Sequence, residues 1–107
     1  MANIQAQATS ANTTLTYAAA TAGGDVVVLG SAQRGTLLVR NAGAAPITAT
    51  FTAVNTCNQG FLHNTAVTCA VGDTEAAVPQ VAITPTGTAA VTYLPNATSV
   101  TVAAVTN

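Results

Sequence analysis

Cys57, His63 and Cys69 are the residues whose types and spacing could do chemistry, and they stand at intervals of six. A zinc site needs four ligands, commonly in two closely spaced pairs. This spacing matches no finger, and no second ligand pair is present. A blue copper site asks for two histidines, and His63 is the only one. A Cys–His nucleophile needs a third group to orient the imidazole, and only Asp73 or an asparagine could serve. The preferred reading of His63 is a loop residue bonded to the backbone of its own turn. Two readings stand for the cysteines. A Cys57–Cys69 bridge would close a loop of about a dozen residues and contribute up to ~3 kcal/mol. Alternatively both thiols are reduced, with Cys69 a small core residue. A bridge would form after release from a reducing cytoplasm.

Asp73 and Glu75 would share one face of a strand, but a turn carboxylate followed by a solvated strand start accounts for both. Two carboxylates in separate environments, as glycosidases use, are not in evidence. Asn12-Thr13-Thr14 and Asn96-Ala97-Thr98 fit a glycosylation sequon, which an Ala/Thr/Asn-rich chain produces by chance. The four aromatics are Tyr17, Phe51, Phe61 and Tyr93, and Phe51 and Tyr93 read as core. Phe61, beside Leu62, either caps the core beneath its loop or stands out as an apolar knob for a partner; the core is preferred.

The elements that carry these residues have period two. Ile47, Ala49, Phe51 and Ala53 alternate with three threonines, as in a strand with one face on a core and one toward water. Thr13–Tyr17, Asp25–Leu29, Thr36–Arg40, Thr65–Val71, Val91–Tyr93 and Val100–Val102 read as further strands. Val67, Cys69 and Val71 fall on the inner face. Pro79 breaks or edges the run 76–84. Gly23-Gly24, Gly30-Ser31, Asn41-Ala42-Gly43, Gly72-Asp73, Pro85-Thr86-Gly87 and Pro95-Asn96 are turns. Tyr17–Ala22 has room for one helical turn. The expected fold is all-β, an antiparallel β-sandwich or jelly roll of about eight short strands. Residues 1–12 are expected as an N-terminal arm and 13–107 as the domain.

Composition narrows the function. The chain has 107 residues, half of them hydrophobic, which is one domain. Alanine (24 copies) and threonine (20) dominate. Charged residues make up 5 %, against about a quarter in ordinary domains. Arg34, Arg40, Asp25, Asp73 and Glu75 are the whole set. Two arginines cannot build a phosphate-binding surface, so nucleic acid and an anionic membrane are not expected as partners. No run approaches the ~20 apolar residues of a membrane helix. Residues 1–5 lack the basic and apolar regions of a secretory signal. The expectation is a protein that stays in the cytoplasm or leaves by a route such as lysis.

Several segments then carry a resemblance. Gly35-Thr36-Leu37-Leu38-Val39-Arg40-Asn41-Ala42-Gly43 followed by Ile47-Thr48-Ala49-Thr50 resembles the opening of small head decoration (cement) proteins of tailed bacteriophages. Cys57-Asn58-Gln59-Gly60 with His63 is similar to a Cys-x-x-Gly-x-x-His loop of some members. Val67–Thr74 resembles the family's strand and turn, and Val91-Thr92-Tyr93 with Ser99–Ala103 its terminal hairpin. Departures are Ala76-Ala77-Val78-Pro79, where the family often has an apolar-Gly-Pro step, and a longer leading segment. The resemblance implies a β-sandwich on the outer surface of a virion, assembled in the host cytoplasm. It implies no enzyme activity and no cofactor. The implied partners are the major capsid protein and further copies of the chain, as a homo-oligomer or symmetric array. Expected partner contacts are Ile4, Gln5 and Gln7 in the arm, and Phe61, Leu62 and His63 in the loop. The alternative is an extracellular filament or adhesin subunit with the same architecture.

Overall fold

A computed structural model describes residues 2–8, 15–56 and 60–106. Among these residues the chain is nearly all β. The strands are β1 (Ala2–Ala8), β2 (Ala18–Ala19), β3 (Asp25–Val28), β4 (Thr36–Asn41), β5 (Ile47–Phe51), β6 (Thr65–Cys69), β7 (Gly72–Ala77), β8 (Thr88–Leu94) and β9 (Val100–Thr106). Two short 3-10 turns, Gly30–Ala32 and Gln80–Ala82, interrupt the connections.

The strands form one sheet in the order β6-β5-β8-β3-β1-β9-β4-β7, with β2 added beside β9. β6 and β7 are joined by residues 70–71 yet stand at opposite ends of this order. The sheet therefore curls into a nearly closed, barrel-like shape. Its inward side chains make one core, including Val27, Leu37, Val39, Phe51, Val91 and Val102. Alternation does this work. Ile47, Ala49 and Phe51 are buried while Thr48 and Thr50 are partly exposed. Threonine suits the wet side because its branched Cβ favours extended backbone.

The sheet is mixed, which corrects the antiparallel expectation. β1 runs parallel to two strands. Residues 2–5 pair with 25–28 of β3, and 6–8 pair with 104–106 of β9. The segment expected as a free arm is thus a central strand along 2–8, while 9–12 lies outside the described residues. Ala2, Ile4 and Ala6 face the core, and Ile4 is buried in it. Asn3 and Gln5 face outward. Alanine and amide side chains have low strand propensity, so the alternation, not the composition, was the signal. The region expected as a helical turn, Tyr17–Ala22, instead holds β2, which pairs with Thr101 and Val102.

Candidate functional site

Among the described residues, the loop between β5 and β6 presents the most exposed large apolar side chain. Its neck is fastened from several directions. The Ala53 amide donates to Asn64 Oδ1 at 2.9 Å. The Val54 and Asn55 amides donate to Val81 O at 2.8 and 2.9 Å. Asn55 Nδ2 donates to Ile83 O at 2.9 Å. Gly60, at φ +85, turns the chain where an L side chain would be strained. Phe61 and Leu62 follow, 64 % and 60 % exposed. Phe61 is therefore a knob, correcting the core reading, because the loop's polar neck holds the backbone away from the core. His63 is also exposed, and its ring lies edge-to-face with Phe61, centroids 6.3 Å apart.

The other expected contacts lie elsewhere. Ile4 is buried in the core and also lines the cleft formed by its outward neighbours. Gln7 makes a two-point bond with Thr16, donating from Nε2 to its carbonyl and accepting its amide at Oε1, both at 2.9 Å. Gln5 and Gln7 line a cleft of about 360 Å³ with Asn3, Thr16, Ala18 and Val102. This amide-rich cleft and the Phe61–Leu62 tip are separate features.

Cys69 is fully buried, its Sγ 3.7 Å from Val67 O. Burial raises its thiol pKa, against a weaker opposing hydrogen bond at Ala49. It is a free thiol in this structure. Cys57, the other half of the proposed bridge, lies outside the described residues. No hydrogen bond joins Cys69 to His63 among the described residues, so the geometry assembles no nucleophilic dyad. Nor do these residues hold a group of three or more His, Cys, Asp or Glu placed for a metal ion.

Asp73 and Glu75 both sit on β7 and are exposed. Asp73 accepts from Arg40 Nε at 3.1 Å across the β4–β7 pair. The Arg40 guanidinium also lies 4.3 Å from the Tyr17 ring centroid. Both partners of the ion pair are well exposed, so it contributes little.

One polar cluster escaped sequence reasoning. Asp25 is wholly buried at the start of β3. Its Oδ1 accepts the Ala2 amide at 3.1 Å. Its Oδ2 accepts the Thr21 amide at 3.2 Å and the Tyr93 hydroxyl at 2.8 Å. Burial pushes the carboxyl pKa up, but the bonds from Thr21, Tyr93 and Ala2 outweigh it and leave the pKa lowered. The same burial, reinforced by the Asp25 charge, pushes the Tyr93 phenol far above its ordinary value. An acid at the head of a Val-Val-Val run was the available signal. The cluster ties β1, the 21–24 turn, β3 and β8 together and serves structure.

No known protein family model matches the sequence, and neither a curated protein nor a solved structure matches it.

Proposed function

We propose that the protein is a head decoration (cement) protein of a tailed bacteriophage. It would bind the outer face of the shell through the major capsid protein, as a homo-oligomer or symmetric array. Its work would be binding free energy alone, added against the pressure of the packaged genome. The observation that carries this reading is the Phe61–Leu62 tip, held out on a fastened loop. In a chain with five charged residues, such a tip favours a contact made by burial over one made by charge.

The magnitude supports an array. Fully burying one large apolar side chain contributes about 1.5–3 kcal/mol, so two contribute roughly 3–6 kcal/mol. Association itself costs at least ~4 kcal/mol. One tip on one site therefore binds weakly, and useful affinity comes from several contacts made together. A capsid supplies repeated sites. In the same reading the curled sheet is a sandwich, β6-β5-β8-β3 facing β9-β4-β7, with β1 running between the two layers. Its location is the virion surface, after assembly in the host cytoplasm.

The test is quantitative mass spectrometry of purified virions from the genome that encodes the chain. The expected result is a copy number commensurate with the shell lattice. Replacing Phe61 and Leu62 with Asp should strip the protein from the heads while its circular dichroism is unchanged. Absence from virions would overturn the reading.

A further inference from the structure

The two outer strands of the sheet are treated differently. β7 carries Asp73 and Glu75, two of the five charges in the chain. Charges on an edge strand block pairing with another chain. β6, Thr65-Ala66-Val67-Thr68-Cys69, carries no charge and no proline. Among the described residues it pairs only with β5.

The direction of its free groups follows from the ladder. The Thr52 amide donates to Ala90 O at 3.1 Å, in register with the β5–β8 pairing. Hydrogen-bonded and non-hydrogen-bonded pairs alternate in an antiparallel ladder. Thr48 and Thr50 therefore bond to β8, whereas Ile47, Ala49 and Phe51 bond to β6. Their partners Cys69, Val67 and Thr65 thus turn their amides and carbonyls toward β5. Ala66 and Thr68 turn theirs outward.

We infer that β6 pairs with the β6 of a second copy, antiparallel and about a two-fold axis through Val67. This register puts Ala66 opposite the second Thr68, and Thr68 opposite the second Ala66. Every outward-pointing group on one strand then meets an outward-pointing group on the other. Val67 faces its own copy in a non-hydrogen-bonded pair, with Cα atoms about 4.5 Å apart. A C2 interface must be self-complementary in this way. The uncharged edge adds no repulsion between copies. The two loops bearing Phe61 and Leu62 then leave opposite ends of a five-residue ribbon, their bases roughly 13 Å apart. The inference concerns self-association and stands whether or not the partner is a capsid.

The test is sedimentation velocity of the full chain over a dilution series, with amide hydrogen exchange read residue by residue. The expected result is a reversible dimer of micromolar to millimolar dissociation constant, as suits a small interface. The Ala66 and Thr68 amides should exchange at least about tenfold more slowly in the dimer than after dilution. Thr68→Pro removes an outward donor and should yield a monomer. Ala66→Lys leaves the bonds to β5 in place and adds charge at an exposed position. It should weaken the dimer at least about tenfold, more strongly at low salt. A monomer throughout the series would overturn the inference. So would a dimer whose Ala66 and Thr68 amides exchange as fast as in the monomer, or protection of these amides only when a different protein is added.

Discussion

Replacing Tyr93 with Phe removes one hydroxyl from a core that is otherwise unchanged in shape. The hydroxyl donates to Asp25 Oδ2 at 2.8 Å, and the carboxylate it serves is wholly buried. A hydrogen bond to a charged group is worth about 1.5–3 kcal/mol. With no solvent to take its place, the loss should be about 2 kcal/mol near neutral pH. In a domain of this size that lowers the melting midpoint by roughly 10 °C. The pH dependence is the sharper signature. Asp25 has a folded pKa below its ordinary 3.8. Its contribution is present above that value and is lost as the pH falls through the lower folded value. The effect of Tyr93→Phe should therefore be largest near neutrality and shrink as acid protonates the carboxyl. Tyr93 gives the opposite limb. Its raised pKa means that stability falls as the pH climbs past the ordinary 10.0, and this limb should be missing in the variant. Urea unfolding followed by circular dichroism across the pH range measures both. An equal loss in acid and at neutrality, or a loss below ~0.5 kcal/mol, would refute the argument.

Three further outcomes follow from the packing. Asn41 is buried, donates from Nδ2 to Ala45 O at 2.9 Å and Cys69 O at 3.3 Å, and accepts the Gly43 amide at 3.0 Å. Asn41→Leu should cost roughly 1–3 kcal/mol by removing these bonds, read by denaturant midpoint; a shift within error would count against it. Cys69 should resist iodoacetamide in the folded protein and react on unfolding, because it is buried and its pKa is raised. Peptide-level mass spectrometry, which separates Cys69 from Cys57, checks this, and fast labelling of Cys69 in the native protein would contradict the burial. Removing residues 2–8 should abolish the cooperative thermal transition, since β1 supplies Ile4 to the core, the Ala2 amide to Asp25, and pairing to both β3 and β9. Survival of that transition would show that the strand is dispensable.

The readable part of the fold was the part written in local alternation. Ile47, Ala49, Phe51 and Ala53 are all buried, as their spacing predicts. The run 65–71 was half legible. Cys69 is buried, but β6 ends there, and Val71 lies exposed in the turn before β7. β1 was missed because alanine, asparagine and glutamine mark no strand by propensity, and its two neighbours are set by distant pairing. The Asp25–Tyr93 bond joins residues 68 apart, and nothing local announces it. Phe61 was misplaced because apolarity alone argues for burial, whereas the bonds at Ala53, Val54 and Asn55 decide where the loop goes. The loop itself was legible as a separate feature, spanning Asn55 to Asn64.

The position of β1 between β3 and β9 sets an order on biosynthesis. Of the nine strands β1 is the first to leave the ribosome and β9 the last. Its leading half can find β3 early, but its trailing half waits for Ala104, Val105 and Thr106 to emerge. Until then the nascent polypeptide carries an unfinished flank, and the last strand to be translated is the one that seals it.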